Sequence, residues 1–263
     1  MRLLFLGDIV GRPGRKAVVA HLPEIKRQYR PDVIVANGEN AAGGFGLTMG
    51  AAEELLSSGI ELITMGNHTW DNKEIFTVLT EHSEVIRPAN YPPGAPGNGY
   101  GIIRVSGTSG AKIAVINLNG RVFMDQADDP FRAFDDLYEE VRASVNAVIV
   151  DFHAEATSEK VAFGWFADGR ATAVFGTHTH VATADERILP QGTAYITDVG
   201  MTGPLNSVLG IDPSIIIRRF RSQLPERFEI AKGPVSFNSV VVDFDEHTGK
   251  ALAIERVSAI FEN

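Results

Sequence analysis

Cysteine is absent from this 263-residue chain, which excludes disulfides and any metal site built on thiolates. A bound metal must therefore use imidazole, carboxylate or amide ligands. No apolar run approaches the roughly 20 residues that a membrane helix requires, so we expect no membrane span. The strand-like run before Gly7 is too short for the core of a signal peptide, and we therefore expect a cytoplasmic protein.

An excess of positive charge is also lacking, because the formal net charge is -9 at pH 7. This sign argues against an extended surface for nucleic acid. It does not exclude a small phosphate substrate, since bound divalent cations can reverse the local field. Hydrophobic residues make up 44% of the chain and charged residues 22%, as in ordinary globular proteins. No sequence feature decides the oligomeric state, and a homo-oligomer stays open.

Strand-like runs alternate with helix-like segments over the first two thirds of the chain, which is typical of layered α/β folds. The predicted strands here are 2–7, 32–36, 61–64, 112–117, 147–152 and 171–175, and the predicted helices are 13–30, 48–58, 72–80, 130–146 and 157–167. After residue 183, shorter strand-like pieces predict a second, more antiparallel sheet packed against the first. The loop at 91–101 is rich in proline and glycine. Because candidate site residues lie on both sides of it, we predict one domain over residues 1–263.

Several predicted strands end in polar clusters that contain potential metal ligands. In open α/β sheets ligands bind outside the carboxyl ends of the strands, so these clusters are expected to meet in one crevice. Four of the seven histidines lie in such clusters, which core packing does not require. The candidate metal ligands are Asp8, Glu39, Asn40, Asn67, His153, His178 and His180.

These ligand types suit divalent metals such as Mn, Fe or Zn. Two metals about 3.5–4 Å apart, sharing a carboxylate, would use the whole set and would clamp a phosphoryl group. His178 and His180 are two positions apart, a spacing that would place both imidazoles on the same side of an extended segment. A structural role for these histidines, and a turn or cap role for Asp8, are the alternatives that the residues themselves leave open.

Further residues are candidates for contact with a substrate. Arg12 lies in a Gly-Arg-Pro-Gly-Arg stretch before a predicted helix, where arginine and backbone amides are suited to bind an anion. Phe45 lies in a glycine-rich loop that either stacks the ring on a base or is simply a flexible turn. His68 follows Asn67 and is suited to protonate a leaving oxygen or to bind phosphate. Asp151 is expected to hold local backbone rather than a metal.

Taken in order, the ligand clusters resemble those of the calcineurin-like metallophosphoesterase superfamily. The resemblance is carried by Asp8, Asn-Gly-Glu-Asn at 37–40, Gly-Asn-His at 66–68, His153 and Gly-Thr-His-Thr-His at 176–180. The stretches 7–12, 151–155 and 176–180 look more specifically like the bacterial YmdB-like branch. The resemblance implies a two-sheet α/β sandwich of the metallophosphoesterase type, with mixed sheets flanked by helices.

The resemblance also implies how two metals are held. One metal would be bound by Asp8, Glu39, Asn40 and His180, and the other by Glu39, Asn67, His153 and His178. Val10 stands where superfamily members usually carry a histidine, and Asn40 is expected to fill that place. An amide oxygen makes the first site harder. Fe or Mn, divalent or trivalent, is favoured by the resemblance, and Zn stays open.

We therefore expect a metal-dependent phosphoesterase in which a hydroxide bridging the metals attacks phosphorus. The resemblance favours phosphodiesterase activity on cyclic nucleotides, particularly 2′,3′-cyclic phosphates. A phosphomonoesterase or protein phosphatase on the same scaffold is an alternative. A metal-dependent regulatory protein that binds nucleotides with little turnover is another.

Overall fold

A computed structural model describes residues 1–107 and 110–262. The strands in these ranges are β1 (Arg2–Leu6), β2 (Asp8–Ile9), β3 (Val33–Asn37), β4 (Leu62–Thr64), β5 (Val85–Ile86), β6 (Tyr100–Arg104), β7 (Lys112–Asn119), β8 (Ala147–His153), β9 (Ala173–Thr177), β10 (Arg187–Ile188), β11 (Ala194–Ile196), β12 (Met201–Pro204), β13 (Val235–Phe244) and β14 (Ala251–Phe261). The helices are α1 (Gly11–Tyr29), α2 (Met49–Ser57), α3 (Ile75–Glu81), α4 (Pro130–Val141), α5 (Thr157–Ala167) and α6 (Pro213–Ser222).

The strands form two mixed sheets. The first has the order β2-β12-β13-β1-β3-β4-β5, and β14 pairs with β13. The second has the order β10-β11-β9-β8-β7-β6. Its inner strands are parallel, whereas β6 and β10 pair antiparallel at its edges. Two mixed sheets with helices are the architecture that the sequence predicts, and this prediction is confirmed.

One apolar core fills the space between the sheets. Phe5 of β1 and Phe175 of β9 meet in it, with ring centroids 4.7 Å apart. Successive strand residues point to opposite faces, so Leu4 packs instead with residues of α1, α2 and α3. Phe163 of α5 covers the outer face of the second sheet. The result is an α/β/β/α sandwich in which both sheets share one core.

The predicted division of the strands between the sheets is wrong. The sequence predicts a separate sheet for the strands after residue 183, but β13 pairs antiparallel with β1 and places Val241 opposite Leu4. Both faces of β13 are covered, because Val240 lies in the core between the sheets and Phe237 lies in the core beneath the helices. A strand with two apolar faces buries more apolar surface at an interior position of a sheet than at an edge. This accounts for the position of β13 inside the first sheet, between β12 and β1.

Two helical predictions also differ from the structure. The helix predicted over 130–146 ends at Val141, and α6 is absent from the prediction. Ile215 is the only residue of α6 that is buried, so the apolar pattern of this helix is weak as a sequence signal. None of the helices in the described ranges combines the length and apolarity that crossing a bilayer would demand.

Candidate metal centre

The candidate ligands meet at the carboxyl ends of strands from both sheets. Asp8 begins β2, two residues after the end of β1 in the first sheet, and Glu39 follows the end of β3. In the second sheet His153 ends β8, and His178 follows β9. The structure thus brings together residues that are distant in the chain: the backbone N–H of His178 donates to Asp8, 170 positions away. The predicted convergence at strand ends is what positions them.

Three potential ligand atoms surround Nε2 of His153. Oδ1 of Asn67 lies 3.0 Å away, Nδ1 of His178 lies 3.1 Å away and Oε1 of Glu39 lies 2.9 Å away. One imidazole N–H cannot donate to all three. Among the described residues, Oε1 of Glu39 has no assigned hydrogen-bond partner, although it lies 2.9 Å from Nε2 of His153. One ligand atom each from Glu39, His153 and His178 lies within 4.8 Å of the others, a spacing that suits a metal ion.

Asp8, Asn40 and His180 form a second group beside the first. Nε2 of His180 lies 3.2 Å from Oδ1 of Asn40 and 4.0 Å from Oδ1 of Asp8. Asp8 is fully buried, and its Oδ1 also accepts no hydrogen bond from any described residue. Because a buried carboxylate oxygen without a partner is destabilising, both orphaned oxygens, on Asp8 and Glu39, fit ligation of cations.

Two of the histidines are oriented by a partner at the other ring nitrogen. Nδ1 of His180 donates to the carbonyl of Leu209 over 3.1 Å. Nε2 of His178 lies 3.0 Å from Oε2 of Glu155. Such outer partners fix the tautomer of a metal-binding histidine. They leave Nε2 of His180 and Nδ1 of His178 as the atoms available to a metal.

His153 is oriented by a buried network around Asp151. The Thr177 hydroxyl lies 2.9 Å from Nδ1 of His153 and donates to Oδ1 of Asp151 over 2.6 Å. The other carboxylate oxygen accepts from the hydroxyl of Thr64 and from the amide of Asn37. The sequence predicts that Asp151 holds local backbone, but its carboxylate holds side chains instead. Through Thr177 it leaves Nε2 of His153 directed at the other ligands.

The predicted extended geometry at His178 and His180 is wrong. Strand β9 ends at Thr177, and the two histidines have left-handed backbone conformations with φ of 95° and 64°. They are therefore placed by tight turns rather than by the pleat of a strand. A non-glycine residue in this region carries about 1–3 kcal/mol of strain, which is typical of functional sites.

A buried ion pair that sequence reasoning missed supports these turns. Nζ of Lys160 lies 2.6 Å from Oδ2 of Asp198 and donates to the carbonyl of Thr177 over 2.7 Å. The same carboxylate oxygen accepts from the backbone N–H and the hydroxyl of Thr179. Asp198 lies two residues after the end of β11, so its position near a strand end is the sequence signal that could have identified it. Nothing in the sequence marks Lys160.

Burial and neighbouring charges set the pKa values of the centre in opposite directions. Burial raises the pKa of Asp8 well above its ordinary value. Burial also acts on Glu39, but the positive field of His153 and His68 outweighs it and holds the pKa near 2. For His153 the carboxylates outweigh burial and raise the pKa to about 9. Burial and the charge of His153 lower the pKa of His178 to about 3.

A cavity of about 500 Å³ opens beside these ligands. We call it the metal cavity, and its lining includes Glu39, Asn40, Phe45, His68, Glu155, His178, His180, Leu209, Ile211, Arg219, Phe220 and Phe228. The predicted substrate-contact residues Phe45 and His68 are both present, with ring centroids 5.0 Å apart. Arg12, the third predicted substrate-contact residue, does not line the metal cavity. It lines a neighbouring cavity of about 570 Å³.

The fold is an α/β/β/α sandwich of two mixed sheets, and carboxylate, amide and imidazole side chains that could hold a metal lie at the carboxyl ends of its strands. A family model described as YmdB-like protein matches residues 4–257. The chain therefore belongs to the YmdB-like protein family, as the sequence motifs predict.

Individual relatives cover the whole chain. It is 52% identical over 257 residues to the 2′,3′-cyclic-nucleotide 2′-phosphodiesterase of Bacillus subtilis (strain 168), covering 98% of this chain and 96% of that protein. A crystal structure of a hypothetical protein from Thermus thermophilus matches with a TM-score of 0.93 and 44% identity, over 99% of this chain and 100% of that one. A crystal structure of a novel phosphatase from Mycoplasma pneumoniae matches with a TM-score of 0.93 and 37% identity, over 100% of this chain and 94% of that one. These similarities confirm the predicted fold and family, and they support a hydrolase of phosphoric esters.

Proposed function

We propose that this protein is a metal-dependent phosphodiesterase that hydrolyses cyclic nucleotides, with 2′,3′-cyclic nucleotides favoured. The observation that carries the proposal is the convergence of Glu39, His153 and His178, with ligand atoms within 4.8 Å of one another, at the edge of the metal cavity. The activity in the name of the Bacillus subtilis relative supports the substrate class.

Two metals account for the two adjacent groups of ligands. We assign one metal to Asp8, Glu39, Asn40 and His180, and the other to Glu39, Asn67, His153 and His178. Glu39, which lies 2.9 Å from His153 and is followed in the chain by Asn40, would be shared by the two metals. When bound, the cations would supply Lewis acidity toward phosphoryl oxygens and a water of lowered pKa. Fe or Mn is favoured, and Zn also suits these ligand types.

His68 is placed to move a proton at the leaving group. Its backbone N–H donates to Oε2 of Glu39 over 3.0 Å, which ties it to the ligands. Its Nδ1 lies 2.8 Å from Oδ2 of Asp71. Because Nδ1 faces Asp71, Nε2 is the ring nitrogen left to donate to the leaving oxygen.

The apolar side of the metal cavity suits a nucleobase. The rings of Phe45 and Phe228 lie nearly parallel, with centroids 6.1 Å apart and an interplanar angle of 22°. The Arg219 guanidinium lies 4.8 Å from the centroid of Phe228. Aromatic and arginine faces of this kind stack on bases without regard to sequence. We assign Phe45 and Phe228 to the base of the substrate.

Phosphomonoesterase activity is a second candidate, because the Mycoplasma pneumoniae relative is described as a phosphatase. Phosphodiesterase and phosphomonoesterase activity are distinguished by analysing the hydrolysis products. The protein is first stripped of metal and then reloaded with Mn, Fe or Zn. The substrates are adenosine 2′,3′-cyclic phosphate, adenosine 3′,5′-cyclic phosphate and p-nitrophenyl phosphate. We expect the 2′,3′-cyclic ester to be hydrolysed fastest and only with metal. Faster hydrolysis of the monoester would overturn the proposal, and saturable binding without product would indicate a regulatory nucleotide-binding protein.

A further inference from the structure

The cavity that Arg12 lines is the immediate neighbour of the metal cavity. We call it the basic cavity, and its lining includes Arg12, Arg15, Gly43, Thr48, Ile230 and Lys232. Three chain segments each contribute to both cavities, through Val10 and Arg12, through Gly44 and Gly43, and through Phe228 and Ile230. Two residues of extended chain span about 7 Å at most, so the two cavities lie side by side.

The wall between the cavities is thin. It consists of Ile230, which forms an isolated bridge with Ile211 of the metal cavity, and of the loop at Gly43 and Gly44. A Cβ built on Gly44 would lie 3.1 Å from Cδ1 of Ile230, so the loop packs closely on that side chain. A Cβ built on Gly43 would meet nothing within 4 Å. The space above Gly43 is therefore open, and a ligand there would lie beside Gly44, which lines the metal cavity.

The basic cavity is positively charged, although the chain as a whole is negatively charged. Its lining includes three cationic side chains, and no carboxylate is present among the described residues that form it. Arg15 is already neutralised, because its Nε lies 2.6 Å from Oε2 of Glu54. Arg12 and Lys232 are exposed, and neither forms an ion pair with another described residue. In a chain of net charge -9, these two cations are placed to attract an anion.

We propose that Arg12 and Lys232 bind a second phosphate group of the substrate, one cavity away from the phosphate at the metal centre. The inference rests on the proposed function, and it narrows the substrate class to ribonucleotides with a 2′,3′-cyclic phosphate and one further phosphate. That phosphate is either a 5′-phosphate on the same nucleoside or the internucleotide linkage of a short oligonucleotide. Two cations match one phosphate, and the acidic remainder of the chain disfavours a long nucleic acid.

Three substrates test the proposal: adenosine 2′,3′-cyclic phosphate, its 5′-phosphorylated form, and the adenylyl dinucleotide that ends in the same cyclic phosphate. Hydrogen bonds to a charged group are strong enough to raise kcat/KM about tenfold for a substrate that carries the second phosphate. The preference should shrink as NaCl is raised, because exposed charges are screened. A preference for the 5′-phosphorylated nucleotide identifies one source of the phosphate, and a preference for the dinucleotide identifies the other.

Substitutions of Arg12 and Lys232 test whether the preference for a second phosphate arises in the basic cavity. Arg12→Ala and Lys232→Ala should each lower the ratio of kcat/KM between the doubly and singly phosphorylated substrates, mainly through KM. Arg12→Glu should lower it below one, because a carboxylate repels phosphate. Lys16→Ala removes an exposed cation of α1 that does not line the basic cavity, and it should keep the wild-type ratio.

Two results would overturn this inference while leaving the proposed function intact. One is a wild-type ratio of one, and the other is a preference that survives both alanine substitutions. If instead the proposed function itself is wrong, none of the three cyclic phosphates will be hydrolysed, so the two failures can be told apart.

Discussion

Nε2 of His153 lies 2.9 Å from Oε1 of Glu39, and both side chains are buried. The pKa of Glu39 is held near 2 and that of His153 is raised to about 9, so the two form an ion pair over the whole neutral range when no cation is bound. The proton on His153 occupies the nitrogen that a metal would need, because a metal binds neutral imidazole.

Metal uptake should therefore release at least about one proton per protein at pH 7.5, because His153 must lose its proton. The apparent affinity for Mn²⁺ should rise with pH until His153 loses its proton unaided, near pH 9. Isothermal titration in two buffers of different ionisation enthalpy measures the proton release directly. A binding enthalpy that is the same in both buffers would show that His153 is already neutral.

Replacement of the shared carboxylate should remove metal and activity together. Glu39→Gln keeps the size of the side chain but loses the charge that two cations require, so we expect less bound metal and a parallel loss of turnover. Metal content is measured by mass spectrometry after gel filtration. Glu53→Gln, at an exposed position of α2, is the matched control and should keep both. A fully loaded and active Glu39→Gln protein would contradict the bridging assignment.

His68→Ala should retain metal but lose about 10²–10⁴-fold in turnover of a cyclic nucleotide, the range of general acid–base catalysis. With bis(p-nitrophenyl) phosphate the loss should be far smaller, because p-nitrophenolate leaves without a proton. Comparison of kcat on the two substrates checks the role. Equal losses on both would assign His68 to phosphate binding instead, and no loss on either would remove it from the reaction.

A methyl group at Gly66 should disrupt the centre. A Cβ there would lie 2.3 Å from Oε2 of Glu39 and 2.4 Å from Nε2 of His153. Gly66→Ala should lower metal content and destabilise the protein by about 1–3 kcal/mol, as overpacking does. Gly50→Ala is the control, because a Cβ at this exposed position of α2 meets nothing within 4 Å. It should be neutral or stabilising by up to about 1 kcal/mol. Urea unfolding compares the two, and equal stability would refute the clash.

The left-handed backbone at His178 predicts that replacement by glycine destabilises the protein less than replacement by alanine, the reverse of the usual order. His178→Gly and His178→Ala both remove the imidazole, but only glycine adopts φ of 95° without strain. The glycine variant should be the more stable by about 1 kcal/mol in metal-free protein. Thermal and urea unfolding of both variants in the presence of a chelator provide the comparison. If the alanine variant is as stable, the turn at His178 is not strained.

The sequence alone determined which types of side chain meet at the candidate metal centre. The ligand types follow from the absence of cysteine, and their position after apolar runs predicts strand ends, which meet at one edge of an α/β fold. These signals are local, since a strand and the residue that follows it are adjacent in the chain. For that reason the sequence alone predicts that Asp8, Glu39 and His153 share one site.

Only the tertiary structure decided how the strands are shared between the sheets and which side chains support the ligands. Strand β13 pairs with β1, more than 230 residues away, because both of its faces must be covered, and no local pattern specifies its partner. The turns at His178 and His180 depend on the buried pair of Lys160 and Asp198. The separation of Arg12 from the metal cavity likewise follows from packing of the chain around Ile230. Each depends on contacts between segments distant in sequence, whose energies exist only once the chain is folded.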